Sequence, residues 1–331
     1  MVTLNDIQQA RERVRAIARV TPMIDVSSIA GRPLFLKCES LQPGGAFKIR
    51  GAYNMVAQLS DDERRRGVVT YSSGNHGQAM ALAARELGAP AVVVMPTTAP
   101  PIKIEGAKSF GAEVIFAGTT SIERRQRAEE EAGKRGLTMV PPFDHELIIA
   151  GQGTLGLEIL EQRPDVETVL VPVGGGGLLA GVAAAIKLAL SERSESNGQS
   201  RPNVRVVGVE PAGAAAMKLS LEAGHAVTLP STKTIADGLM PVRPGDLTFA
   251  HAQKFVDEVI TVEDPQIIDA VLWLFTSAKI VAEPSGAATV AAARLADRTD
   301  GRTVAIVSGG NISLEKLEEL RSAAAAPPPP R

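Results

Sequence analysis

Residues 46–54 read AFKIRGAYN, and they set Lys48 between Phe47 and Ile49. Most lysines are solvated surface charges, and that is the ordinary reading of any one of them. Apolar neighbours change the chemistry, because desolvation disfavours the ammonium and makes the neutral, nucleophilic amine accessible near neutral pH. Three further stretches could do chemistry. In VPVGGGGLLAG, an apolar run enters Gly174, Gly175, Gly176 and Gly177 and passes straight into a helical pattern at Leu178. Bare backbone N–H groups and the positive end of a helix then converge on one point, which suits a phosphate, although a tight turn would also use glycines. Gly175, Gly177 and Ala180 also fit G-x-G-x-x-A, with Glu210 ending the next strand where a ribose-binding acid would sit, so this motif alone leaves a nicotinamide cofactor open. In YSSGNHGQA, the hydroxyls of Ser72 and Ser73, the Asn75 amide and the His76 imidazole flank Gly74 and Gly77 just before a helix. One serine could simply cap that helix, but polar groups on both sides of a glycine make a carboxylate pocket the better reading. In IVSGGN, Ser308 follows a third apolar run and is either a helix cap or a third wall of the same crevice.

The elements that must position these groups follow from periodicity. An opening helix over 5–20 places Ile7, Ala10, Val14 and Ile17 on one face. Strands are expected at PLFLKCE, GVVTYSS, AVVVMP, AEVIFAG and LTMVPP, with helices over 75–88, 102–111 and 121–133 between them, the first two stopped by Gly88 and Gly111. After a Pro/Gly-rich break at 141–153 the pattern resumes with a helix over 154–162, strand VETVLVPV, a helix over 178–190, strand NVRVVGVE and, later, strand RTVAIVSGG. The strands are apolar throughout instead of alternating, as strands covered by helices on both faces are. The fold class is therefore α/β, with mostly parallel sheets flanked by helices, and two sheets fit the strand count better than one. SERSESNGQSRPN reads as a surface loop, and the Pro-rich end as a disordered tail.

Composition removes other classes. The 35 basic and 37 acidic residues of this 331-residue chain leave a net charge of -2, which offers no field to draw in nucleic acid or an anionic membrane. No apolar run reaches the roughly 18 residues that a membrane span needs. Cys38 is the only cysteine, so no internal disulfide can form, and the N-terminus carries no signal pattern. A cytoplasmic metabolic enzyme is expected. A phosphate cradle, a desolvated amine and a carboxylate pocket are together what a phosphorylated aldehyde cofactor and an amino acid require. Pyridoxal phosphate meets that description, whereas a nicotinamide leaves Lys48 without a task.

GGAFKIRGAYN, SSGNHGQAMALAA, IIAGQGTLGLEI, PVGGGGLLAG, TIADGL and VSGGN, in this order, resemble the pyridoxal-phosphate-dependent serine/threonine dehydratases and serine racemases. The similarity runs from about Asn5 to Ala323. It implies the tryptophan-synthase-β-like architecture (fold type II), with the cofactor in a cleft between two domains: a large one of 1–55 with 150–323, a small one of 56–149, and a tail of 324–331. By the same resemblance Lys48 forms the Schiff base with Phe47 beside the ring, and Gly174, Gly175, Gly176, Gly177 and Leu178 hold the phosphate. Asn75 meets the phenolic oxygen, while Ser72, Ser73, His76 and Gly77 surround the substrate carboxylate. Ser308 faces the pyridine nitrogen, where a neutral hydroxyl favours β-elimination over transamination. Gly238 and Glu283 line the pocket behind. The implied reaction is elimination from a β-hydroxy amino acid to a 2-oxo acid and ammonia, with Lys48 as the base. Ser73 stands where racemases place a second base, so serine racemisation remains open, as does 3-hydroxyaspartate as substrate. A homodimer is implied as well.

Three departures from the family pattern qualify this. Ala46 replaces the serine common before Phe-Lys. Metal-dependent relatives carry a second carboxylate six residues after the glutamate at 210, and here that position is Ala216, so no metal is expected. The resemblance ends without the regulatory domain of biosynthetic threonine dehydratases, and feedback by isoleucine is not expected.

Overall fold

The computed structural model describes residues 1–72, 74–99, 101–119, 121–197, 204–295 and 301–325. Ten strands are present among them: β1 Met23–Asp25, β2 Leu34–Cys38, β3 Val68–Tyr71, β4 Ala91–Met95, β5 Glu113–Phe116, β6 Thr138–Met139, β7 Thr168–Pro172, β8 Arg205–Pro211, β9 Glu258–Val262 and β10 Thr303–Val307. They form a six-stranded sheet in the order β1-β2-β10-β7-β8-β9 and a four-stranded sheet in the order β5-β4-β3-β6. Every pairing is parallel except the edge pair β1–β2. The α/β class with two parallel-rich sheets is thus as expected from the apolar runs.

Each sheet divides its side chains between two cores, because successive residues of a strand point to opposite faces. In β7, Val169 and Val171 enter one core and Leu170 the other; in β10, Val304 and Ile306 oppose Ala305 and Val307. In β4, Val93 and Met95 face one side of the smaller sheet and Val92 and Val94 the opposite side. Both faces are covered, so these strands have no need of polar alternation.

Parallel strands bring their carboxyl ends to one edge, and there β3 leads into Ser72 and Gly74, β7 into Gly174 and β10 into Ser308. The helix Lys48–Val56 packs against the helices Glu146–Gln162 and Asn75–Glu86 and links the two sheets. Its approach to Glu146–Gln162 depends on a glycine pair: a Cβ on Gly151 would lie 2.6 Å from the Gly51 Cα and 2.7 Å from the Arg50 carbonyl oxygen.

Several expected boundaries shift. The first helix is Leu4–Val14, shorter than 5–20, yet Ile17 still packs against the core of the smaller sheet from the turn that follows. Residues 146–153, read as a break, are the first turns of the helix Glu146–Gln162; the glycines there serve close helix packing instead of ending a helix. The stretch 191–197 continues the helix Gly177–Asn197, with Glu192 and Arg193 exposed on it, and 198–203 lie outside the described residues; of the expected tail 324–331, residues 324–325 instead end the helix Leu314–Ala325, and 326–331 lie outside the described residues. LTMVPP contributes only Thr138–Met139 to a strand. The helices before Gly88 and Gly111 do stop as expected, with both glycines at positive φ, 71° and 84°.

Candidate active site

Lys48 is the first residue of the helix Lys48–Val56, with Phe47 as its N-cap residue. The amine donates to the Pro142 carbonyl oxygen at 2.7 Å and lies 5.1 Å from the centre of the Phe47 ring. Burial pulls its pKa down to about 8, so a neutral amine is populated near physiological pH. The strand-end segment of β10 is fastened to the three residues before this lysine: Phe47 N–H donates to the Ser308 carbonyl at 3.0 Å, Ala46 bridges Gly309, and Gly310 N–H donates to the Gly45 carbonyl at 2.9 Å. Ser308 itself is buried.

Asn75 opens the helix Asn75–Glu86, and its amide donates to the Glu283 carboxylate while its oxygen accepts from Asn311 Nδ2 at 2.8 Å. Asn311 also donates to the Gly44 carbonyl at 2.9 Å. Glu283 is buried, and burial raises its carboxyl to about 7, with the charge of Asp237 adding to the effect. Its N–H donates to the Gly309 carbonyl at 3.1 Å, and a Cβ on Gly309 would meet both Glu283 and, at 3.0 Å, the Asn75 amide. Gly309 must therefore stay small for these groups to meet.

His76 is buried with Nε2 3.0 Å from the Val140 carbonyl, which assigns the proton to Nε2 and leaves a lone pair on Nδ1. That Nδ1 is buried without a partner among the described residues. Burial, with the nearby Lys48 charge adding to it, drives the imidazole pKa down to about 3, so the ring is neutral at any working pH. Gly77 allows the chain to turn tightly here, since a Cβ would lie 2.9 Å from the Ser72 carbonyl oxygen and from Val93. Gly74 N–H donates to Ser72 Oγ at 3.3 Å. Ser73 lies outside the described residues.

The glycine run enters the helix at Gly177, and Gly176 adopts φ 93°. Side chains are excluded here by close neighbours: a Cβ on Gly174 would lie 2.9 Å from the Gly238 carbonyl, on Gly176 2.7 Å from Met217, and on Gly177 3.0 Å from Phe143. Leu178 is buried in the larger core, which leaves its backbone as the available donor. Gly238 N–H donates to Ser285 Oγ at 2.8 Å, two residues beyond Glu283. All the expected site residues that the structure describes are thus joined through one continuous set of contacts.

Sequence reasoning missed the segment that closes this set. Residues 142–145 present the Pro142 carbonyl to Lys48, lay the Phe143 ring on Gly175 and its Cβ and backbone against Gly177, and cap a further helix, Asp246–Phe255, with the Asp144 carboxylate accepting from Asp246, Leu247 and Thr248 N–H. Its Pro-Pro pair marked only a break. Lys103 and Ser285 were also missed, because nothing in their local sequence sets them apart, while Asn311 ends the IVSGGN motif but was given no role of its own.

The donor set fits pyridoxal phosphate: a lowered-pKa amine, a glycine cradle at a helix start that admits no side chain, and an orphaned buried imidazole nitrogen beside them. Comparison with known proteins agrees. Residues 14–309 match the family model described as "Pyridoxal-phosphate dependent enzyme". The chain belongs to this pyridoxal-phosphate-dependent family. It is similar to the L-threonine ammonia-lyase of Thermotoga maritima, 44% identical over 324 residues that cover 97% of this chain and 78% of that protein. It is also similar to the serine racemase of Oryza sativa subsp. indica, 40% identical over 327 residues, 96% and 93% of the two chains. Among solved structures, maize serine racemase superposes with a TM-score of 0.87 at 38% identity, covering 97% of each chain. This resolves the choice of cofactor that the glycine motif left open. Glu210, the would-be ribose acid, instead accepts from Met217 and Lys218 N–H at 2.8 and 2.9 Å and caps the helix Ala216–Ala223. Burial raises its carboxyl to about 7. Among the described residues no group of three or more His, Cys, Asp and Glu side chains is arranged to hold a metal ion, and no helix is long and apolar enough to cross a membrane.

Proposed function

We propose that this enzyme is a deaminating dehydratase of small β-hydroxy amino acids of the threonine/serine type, releasing a 2-oxo acid and ammonia. The observation that carries this is the Lys48 amine, with its pKa near 8, held at a helix start between the Ser308 strand end and the neutral His76. Such an amine can both form the covalent link to a carbonyl and, once free, act as a base. The bound pyridoxal phosphate supplies an electron-withdrawing ring that makes the α-proton of an attached amino acid acidic.

The chain's residues divide the remaining work. The N–H groups of 174–178 would hold the phosphate of the cofactor, and Asn75 would orient its phenolic oxygen. The backbone N–H groups at the start of the helix Asn75–Glu86, with Ser72, Gly77 and the His76 backbone, bind the substrate carboxylate and fix its α-carbon against Lys48. Lys48 removes the α-proton and passes it to the β-hydroxyl, which leaves as water, and a water molecule then hydrolyses the released product to the 2-oxo acid and ammonia. The hydroxyl of Ser308 would meet the ring nitrogen of the bound cofactor without delivering a full charge to it, which would favour loss of a β-substituent. Gly238 and Glu283 support Asn75 from behind. The segment 56–149, which holds the smaller sheet, acts as the smaller domain, and the cofactor lies between it and 1–55 with 150–323. A cytoplasmic homodimer completes the proposal.

Serine racemisation is the second reading, supported by the rice relative and by Ser73 as a base for the opposite face. Assaying 2-oxo acid and D-serine from L-serine and L-threonine, with borohydride-trapped cofactor mapped to a peptide by mass, tests all of this. Ketoacid formation and a tag on Lys48 support the dehydratase. D-serine without ketoacid supports the racemase, and a tag elsewhere overturns the site.

A further inference from the structure

The helix Pro101–Ser109 belongs to the smaller sheet, yet its Lys103 side chain is buried and reaches out of that half to the Asp237 carboxylate. Asp237 opens the short turn Asp237–Leu239 on the other side of the cleft, and the next residue, Gly238, donates to Ser285. Ser285 lies in the first turn of the helix Pro284–Arg294, whose N-cap residue is Glu283, and Glu283 accepts from Asn75. Asn75 begins the helix Asn75–Glu86, which lies directly against Pro101–Ser109: a Cβ on Gly106 would come within 2.7 Å of the Gln78 side chain. The circuit therefore closes on itself. Two cross-links, Asn75–Glu283 and Lys103–Asp237, fasten neighbouring helices of the smaller half to neighbouring residues of the larger one. A Cβ on Gly74 would lie 3.9 Å from Lys103 Nζ, so the lysine stands next to the backbone that begins the proposed carboxylate pocket.

The two cross-links differ in kind. Asn75 would be engaged by cofactor, whereas Lys103 has a charged partner and lies behind Gly74. We propose that the Lys103–Asp237 ion pair is a strap that sets the position of Gly74–Gly77, making Lys103 a positioning residue for the amino acid substrate. The proposal deepens the dehydratase reading and rests on its assignment of Gly74–Gly77 to the substrate carboxylate. A buried cation that loses its anion must rehydrate, and it does so by moving its helix away from the cleft. Asp237 is half exposed, so the strap is open to screening by salt.

The test compares K103M, D237N and the double variant as holoenzymes, with hydrogen exchange and steady-state kinetics on L-threonine and L-serine. Methionine keeps the length and apolar stem of lysine. Amides of 101–109 and of 237–239 should exchange faster in either single variant, and the double variant should match the singles, because one interaction is lost only once. KM should rise up to about fivefold in each with kcat little changed, the size expected of an ion pair with one half-exposed member. Raising the salt concentration should increase KM in the wild type and leave it flat in K103M. Unchanged exchange at 101–109, or additive effects of the two substitutions, would overturn the strap. Should the wild type turn over neither amino acid, the dehydratase reading fails, while the exchange experiment still decides whether the strap exists.

Discussion

Arg50 and Lys48 are two residues apart on one helix, and they live in opposite electrostatic worlds. Arg50 is fully buried, and its guanidinium reaches two carboxylates: Glu39 through Nε at 2.7 Å and Nη2 at 2.9 Å, Glu158 through Nη1 at 2.7 Å and Nη2 at 2.9 Å, with Thr154 at 3.1 Å. Lys37 closes the network on Glu158 at 2.7 Å, so two cations meet two anions in a region that holds no net charge. Burial works against the charge on Arg50, but Glu39 and Glu158 outweigh it and raise its pKa. Glu39 is likewise held below the usual carboxylate range: burial pushes it up and Arg50 overcomes that. At Lys48, burial meets no opposing anion among the described residues and wins. Desolvation is common to both positions; whether a partner charge is supplied decides between a permanent ion and a titratable base.

Removing the unpaired member should have the largest effect. Lys48→Ala is expected to lower kcat by at least ~10²-fold and to abolish the borohydride-trapped adduct, while leaving thermal unfolding close to that of wild type. Loss of activity with the adduct retained would show that another amine does the chemistry.

The paired member should behave in the reverse way. Arg50→Met strands two buried carboxylates, and a loss of about 3–5 kcal/mol in urea unfolding is expected. A variant that unfolds like wild type would mean that the network contributes little, and the contrast with Lys48 would collapse.

Glu283 tests the comparison from the acidic side. Its carboxyl is raised in the folded state from 4.5 to about 7, so its stabilising contribution is complete below pH 4.5 and is lost as pH rises through 7. Glu283→Gln, which keeps the acceptor for Asn75 but cannot ionise, should therefore gain on wild type between pH 5 and pH 8 by on the order of 2 kcal/mol. An equal difference at both values would place the carboxyl pKa outside that window.

The smallest expected effect is none. With its pKa driven to about 3, His76 should show neutral-imidazole NMR shifts throughout pH 5 to 8, and a titration within that range would mean the ring is more open to water than its contacts indicate.

Much of this was legible in the chain. Buried strands such as AVVVM and TVLVP declare themselves by length and lack of alternation, and GGGG between a strand and a helix needs no tertiary information to suggest an anion site. The glycines of 146–153 misled, because a helix that must approach another closely uses the same residues as a loop. The strand Glu258–Val262 and the helix Lys48–Val56 were not read either: 49–56 are buried throughout, with Arg50 and Asn54 inside the core, and buried polar residues defeat a reading that places polar side chains outward.

By itself the sequence determined the chemistry of the groups: an amine among apolar residues, bare glycine N–H groups, a polar turn at a strand end. These follow from side-chain type and near neighbours, which the chain carries locally. Only the tertiary structure decided which of them meet, and with what protonation. Lys48 touches Pro142, Asn75 touches Glu283 and Lys103 touches Asp237 across 94, 208 and 134 residues of chain. Burial and partner charge are properties of those meetings, and they make Arg50 a structural ion and Lys48, two residues away, a candidate catalyst.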